Sequence, residues 1–195
     1  MRFLFLALFA ATLSIGLGGW SAAVMLARFE GAGAVDVGPW QANRLAGSPQ
    51  ADPYSKARLA RDGNLTLGLA EGIAFRARAD SAGLELRREC TYRVAGGLPP
   101  ARVWTLSAFT PDGATIVPAE GRPPWLVSSD LMRDDANGAE ILVSGLAQPG
   151  NWLALEGGGP FVLALTIYDT PASTSGGASE LAMPGIERLG CSVDG

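Results

Sequence analysis

Leu98-Pro99-Pro100-Ala101-Arg102-Val103-Trp104-Thr105-Leu106-Ser107-Ala108-Phe109-Thr110-Pro111-Asp112-Gly113 is the stretch on which the fold turns. Its two leading prolines impose an extended approach, β-branched and aromatic residues follow, and Pro111-Asp112-Gly113 supplies a turn. The segment reads as a strand. Val103, Thr105, Ser107 and Phe109 fall on one face, with Trp104, Leu106 and Ala108 on the other. Neither face is plainly polar, which is the pattern of a central strand covered on both sides.

Towards the C-terminus, Ala114 to Val117 returns from the turn, and Gly121-Arg122-Pro123-Pro124 interrupts the pattern before Trp125 to Ser129. Asn137-Gly138 ahead of Ile141-Leu142-Val143 is a hairpin signal, because both central positions of such a turn favour positive φ. Gly157-Gly158-Gly159-Pro160 then precedes Phe161 to Tyr168, a second strand apolar on both faces, and Pro184 to Cys191 closes the chain in extended form after a Ser/Gly loop over Ser173 to Ser179.

Towards the N-terminus, Leu84 to Arg88 and Cys90 to Val94 return the chain, with Cys90, Tyr92 and Val94 on one side and Thr91 and Arg93 on the other. Ile73, Phe75, Ala77 and Ala79 alternate with Ala74, Arg76, Arg78 and Asp80, and Ser81-Ala82-Gly83 turns the chain between the two runs. An antiparallel hairpin or meander is the simplest account. Asp52 offers an N-cap with Pro53 at the first helical position, Tyr54 to Arg61 carries helix formers, and Gly63 stops the helix. Lys56, Arg58 and Arg61 give it a basic side, suited to solvent or to anionic lipid headgroups. Val35 to Trp40 reads as a short edge strand or an extended lead-in. Many short strands at turn-signal spacing, with one helix, indicate a mainly β domain: an antiparallel β-sandwich or jelly-roll-like body.

From Phe3 to Ala27 no side chain is charged, a run longer than the ~20 residues needed to cross a bilayer core. Arg2 and Arg28 mark its ends. Two readings compete. Ser21-Ala22-Ala23 offers small residues to a signal peptidase, whereas Val24-Met25-Leu26 continues the apolar character past that cut and favours an uncleaved signal-anchor. Either way residues 1–30 form a leading segment and residues 31–195 an exported domain, which for an anchored chain places a single-pass helix in the inner membrane and the domain in the periplasm. Ala10, Ser14, Gly18 and Ala22 recur every four residues, a spacing that would let anchor helices pair into a homo-oligomer.

The 195 residues are 48% hydrophobic with a formal charge of -4, enough for one core and the wrong sign for nucleic acid, which needs clustered Lys and Arg. Histidine is absent, which removes the commonest general base and zinc ligand. No cofactor or metal is expected. Asp130, Asp134, Asp135 and Asn137 invite a calcium-loop reading, but aligning Gly138 with that loop's glycine puts Arg133 in the first ligand position and Ser144 where a bidentate Glu belongs. Gly157-Gly158-Gly159 lacks the Lys-Ser/Thr of a phosphate loop, and Gly68 to Gly72 lacks the dinucleotide fingerprint. Glu85 with Glu89, or Asp130 with Asp134, could pair as acid and base only if space brings them together. Trp104, Trp125 and Trp152 could line an aromatic cleft with Arg122 as its polar anchor, against the commoner use of large aromatics as core. Cys90 and Cys191, both on the exported side, favour a disulfide over two buried thiols.

Leu98-Pro99-Pro100 with Trp104-Thr105-Leu106, then Pro111-Asp112-Gly113, Arg122, Asn137-Gly138, Pro149-Gly150-Asn151-Trp152-Leu153, Gly159-Pro160-Phe161, Leu165 to Pro171 and Ile186-Glu187-Arg188 follow one another in an order that resembles the bacterial domain of unknown function 1214. The resemblance runs from about Trp40 to Cys191. It implies a β-sandwich and a protein partner carrying the domain of unknown function 1254, which longer relatives join to it, and it implies no established activity. Arg122-Pro123-Pro124-Trp125 stands where the family usually shows Arg-Tyr before a strand, and Thr166 stands at a position usually Arg. The expectation is therefore a membrane-anchored, non-catalytic module that binds a protein partner or an envelope glycan or lipid. A carboxylate-dependent hydrolase of an envelope polymer is the alternative.

Overall fold

The computed structural model describes residues 2–28, 31–63, 66–68, 70–98, 101–133, 138–170 and 182–192. Helix α1 (Arg2–Arg28) is apolar along its length and stands apart from the body. Strands β1 (Ala34–Val37) and β2 (Trp40–Asn43) form a hairpin, and α2 (Pro53–Asp62) follows. The Asp52 carboxylate caps α2 by accepting from the amides of Tyr54 and Ser55, and Gly63 ends it with a left-handed φ of 65°. The Ser55 hydroxyl, first among several donors to Asp52, holds that carboxyl at about 2.

Eight more strands complete the body: β3 (Gly72–Ala77), β4 (Cys90–Ala95), β5 (Val103–Phe109), β6 (Trp125–Val127), β7 (Ile141–Ser144), β8 (Asn151–Ala154), β9 (Val162–Tyr168) and β10 (Gly185–Cys191). They build a six-stranded sheet in the order β1-β2-β3-β9-β5-β6 and a four-stranded sheet in the order β10-β4-β7-β8. Because side chains alternate across each strand, one set from each sheet meets in the middle. Phe75, Trp104, Leu106, Leu163, Leu165 and Ile167 come from the first sheet, and Tyr92, Val94, Val143, Leu153 and Ile186 from the second; all are buried. The chain is mainly β.

β5 lies inside the first sheet, between β9 and β6, and β9 lies at its middle, paired to β3 over six residues and to β5 over seven. The apolar character of both faces of β9 has a structural counterpart. Leu163, Leu165 and Ile167 enter the core, while Val162 and Ala164 are each only 6% exposed on the opposite face, flanked by Phe109 and Ser107 of β5.

Two features depart from the sequence reading. The return over Leu84 to Arg88 does pair back on the run ending in Ala79, but Cys90 to Val94 does not join it. Ser81-Ala82-Gly83 does turn the chain, with Asp80 N donating to Leu84 O at 2.8 Å and Leu86 N to Arg78 O at 2.9 Å, but the pairing is a short arch and β4 then joins the other sheet. The sandwich is also not wholly antiparallel, since β7 and β8 pair in parallel, Ile141 with Asn151 through Ser144 with Ala154. Parallel neighbours usually need a connection of a dozen residues. Here residues 145–150 suffice because each strand has four residues, a return of only ~13 Å. The hairpin tip read at Asn137-Gly138 includes Asn137, which lies outside the described residues.

Leu165 is 1% exposed and sits between Phe75 and Leu106 on neighbouring strands. Leu165→Ala should cost about 2–5 kcal/mol through lost contacts and the cavity left behind. Denaturant unfolding of the detergent-solubilised chain measures it.

Candidate functional site

The four residues expected to share a cleft occupy three different layers. Trp104 points into the core and is 4% exposed. Trp125 pairs with Ser107, so it lies on the outer face of the first sheet, where it is 59% exposed. Trp152 pairs with Leu142 on the outer face of the second sheet, half-buried, and its indole N–H donates to Ser144 O at 3.0 Å. Only Arg122 approaches Trp152: its Nη1 donates to Gly145 O at 3.4 Å and lies 3.7 Å from a Glu156 carboxylate oxygen. The structure thus brings Arg122 and Trp152 together at the end of β7 and leaves Trp104 and Trp125 apart from them. Thr166, at the position usually Arg in the family, lies on the outer face of the first sheet between Ala74 and Thr105.

A cleft of about 530 Å³ opens elsewhere, between the β1–β2 turn and the start of β10, lined by Gln41, Arg78, Asp80, Ser81, Met183 and Pro184 among others. Nothing local in the sequence marked it, because its walls are contributed by segments about a hundred residues apart. Arg78 is exposed there and has no ion-pair partner among the described residues. Asp80 is committed elsewhere. Its Oδ1 accepts from the amides of Ala82 and Leu84, and its Oδ2 lies 3.1 Å from Arg188 Nε. That N–H is not aimed at the oxygen, so the attraction is Coulombic rather than a formed hydrogen bond. The Arg188 guanidinium also lies 5.4 Å from the Tyr92 ring centre. Tyr92 OH accepts from Arg87 N at 2.8 Å, and burial pushes its hydroxyl above the ordinary value.

The glycine run has its own occupant, the Glu89 carboxylate. Gly159, at φ 89°, donates its amide to Glu89 Oε1 at 2.7 Å, and Arg88 Nη1 donates to Glu156 O at 3.1 Å. The Gly159 amide, ahead of other causes, holds Glu89 below the usual carboxylate range. Glu85 and Glu89 both pair with Arg87, at 3.8 and 3.3 Å. A general acid needs a raised pKa, so Glu89 is set the wrong way for that role. Asp134, Asp135 and Asn137 lie outside the described residues, and among those described no group of three or more metal-ligating side chains converges.

Cys90 and Cys191 are register partners of β4 and β10 and are disulfide-bonded, joining residues 101 apart in the chain. Cys90 is buried and Cys191 exposed. The bond fastens the last strand to the second sheet next to a bulge between Arg188 and Gly190.

Fold and site together define a two-sheet β-sandwich with an apolar helical stalk, stapled by its own last strand and carrying no described constellation of nucleophile, base and acid. The family described as "Protein of unknown function (DUF1214)" matches residues 71–172, just over half of the chain, and the chain belongs to that family. The solved VPA0106 protein from Vibrio parahaemolyticus superposes with a TM-score of 0.62 at 17% identity, over 94% of this chain and 45% of that one. This likeness shows the fold alone. An uncharacterised protein from Burkholderia cenocepacia superposes at a TM-score of 0.41, with 17% identity, over 90% of this chain and 49% of its own. This chain therefore spans less than half the length of both. No curated protein matches it.

Two measurements probe these charges. Asp80 is 3% exposed, and Asp80→Ala should cost on the order of 3 kcal/mol by leaving Arg188 without its counter-charge; adding Arg188→Met should recover part of that loss in denaturant unfolding. Because the folded-state pKa of Glu89 is depressed, its stabilisation is fully present above the unfolded value and is lost as pH falls through the folded one. Glu89→Gln should therefore flatten the fall in Tm on acidification, and an unchanged slope would show that Glu89 contributes nothing to it.

Proposed function

We propose that this chain is a membrane-anchored, non-catalytic β-sandwich module of the bacterial envelope, held in the inner membrane by α1 with its body in the periplasm, and that it binds a protein partner. The observation that carries this reading is α1, whose side chains from Phe3 to Ser21 are exposed on every side although nearly all are apolar. An uncovered apolar helix of that length needs hydrocarbon around it. The Cys90–Cys191 bond supports an oxidising compartment on the far side.

A protein partner is favoured over a small ligand by the outer face of the first sheet. Val103, Phe109 and Val127 are half-buried on it and Trp125 exposed, and neither helix packs across it. Such an apolar face suits a second protein surface. VPA0106 carries this fold as less than half of its chain, which supports a second unit as its companion. By that reading the short chain meets such a unit, the domain of unknown function 1254, as a separate protein. A hydrolase would instead need two free carboxylates facing each other across a cleft; here Glu85, Glu89, Asp80, Glu156 and Glu187 are each paired to an arginine.

Protease shaving of spheroplasts should degrade the body while alkaline extraction leaves the residual stalk in the membrane fraction. Co-expression with a protein carrying the domain of unknown function 1254 should yield a complex that Trp125→Arg weakens by about tenfold or more, as expected for an aromatic anchor. A body protected in intact spheroplasts would place it in the cytosol and end the proposal.

A further inference from the structure

Between the β1–β2 turn and the lead-in to β10 the cleft measures about 530 Å³, inside the range of small-molecule sites, roughly 300 to 1,000 Å³. It lies at the opposite border of the first sheet from Trp125, since β1 and β2 start the strand order that β6 ends. Its walls are tied in place. Val37 pairs with Trp40 across the two-residue turn Gly38-Pro39, and the Trp40 indole donates to Pro184 O at 2.7 Å. Ser81 is bonded twice to Ile186, donating its N to Ile186 O at 2.8 Å and accepting from Ile186 N on its hydroxyl oxygen at 2.9 Å. A site that needs no rearrangement keeps the ordering cost of binding low.

The charges along this cleft do not cancel. Asp80 is buried in its wall and already holds Arg188 and the amides of Ala82 and Leu84. Glu85 and Glu187, on neighbouring segments, pair with Arg87 and Arg93. Arg78 is exposed, and its guanidinium makes no hydrogen bond or ion pair among the described residues. Beyond the lining, Asp36 and Arg76 stand on either side of Gln41 in register, one charge of each sign, so they leave the balance unchanged. One positive charge is left over. Two further donors line the cleft with it: the Gln41 side-chain amide, unbonded among the described residues, and the Ser81 hydroxyl, whose proton no bond among those residues uses. The rest of the lining is uncharged, with Val37, Pro39 and Met183 half-buried around the buried Pro184.

We propose that this cleft binds a small carboxylic acid. The carboxylate pairs with the planar fork of Arg78 and accepts from Gln41 and Ser81, while the hydrocarbon part lies against Val37, Pro39 and Met183. One unbalanced arginine matches one negative charge, whereas a phosphate monoester carries about two at neutral pH. An acidic side chain of a partner protein would leave most of the volume unfilled, and close packing disfavours such a void. The site is independent of the anchor and of the partner surface proposed for Trp125.

The test uses the full chain in phosphatidylcholine nanodiscs with isotope-labelled methionine methyl groups, read by NMR. Titration with hexanoate or phenylacetate should shift the Met183 methyl resonance to saturation. Met132, bonded to Asn151 at the start of β8, should stay unmoved, and Met25 on α1 registers any partitioning into lipid. Replacing hexanoate by hexanamide, its uncharged isostere, should weaken binding by about tenfold or more, as should Arg78→Gln, the effect of losing a charge-assisted hydrogen bond. Arg78→Lys should retain most of the affinity, and both variants should keep the parent Tm because the side chain is exposed. Absence of a saturable Met183 shift with both acids overturns the proposal, as does equal affinity for hexanoate and hexanamide or an unaltered affinity in Arg78→Gln.

Discussion

Two buried polar groups in the first half of the body find their partners on the last strand or on the residue just before it, and this constraint governs the closure of the sandwich. The Trp40 indole, fully buried, donates to Pro184 O at 2.7 Å, and the buried Asp80 carboxylate is answered by Arg188. A donor or charge left unanswered in the interior costs more than a formed bond gains. β10 therefore cannot detach without stranding both. Its apolar contribution is small, since Ile186 is its one fully buried side chain, so the strand is held by pairing to β4, by these two polar contacts and by the disulfide to Cys90.

The same rule bears on the carboxylates of the body. Three arginines take five carboxylates between them: Arg87 takes Glu85 and Glu89, Arg93 takes Glu140 and Glu187, and Arg122 takes Glu156. Most of these pairs are exposed and individually weak in water. The glycine run that superficially suits a phosphate holds Glu89 instead, so the anion it cradles belongs to the chain itself.

Local features were legible and relations between distant segments were not. Asp52-Pro53 and Gly63 fixed both ends of α2 because capping is decided within a few residues. Alternation placed Phe75 and Tyr92 on inner faces and Trp104 with Leu106 on one face of their strand, since the period of a strand is a property of the strand. Alternation does not reveal which sheet a strand joins. The turn at Ser81-Ala82-Gly83 therefore suggested a hairpin where the chain crosses between layers, and the run Ile141 to Ser144 gave no sign that its neighbour runs parallel. The tryptophan cleft failed for the same reason: Trp125 and Trp152 face outward from opposite sheets, and only the pairings of Ser107 and Leu142 reveal it. Arg188 could not be matched to Asp80, nor a cleft foreseen beside Pro184, because those contacts join residues about a hundred positions apart.

The pairing of β4 with β10 has a consequence in time. A chain threaded through a pore from its amino end delivers residue 90 well before residue 191, and β4 must wait for a neighbour 101 positions behind it. Long-range pairing of this kind is slow, and an unpaired edge is an invitation to foreign strands. While the chain emerges, the half-built sheet presents that edge until Gly185 to Cys191 arrives to pair with β4. A chaperone or an early-binding companion would have its window in that interval, and mutations in the final seven-residue strand should show themselves first as aggregation during biogenesis.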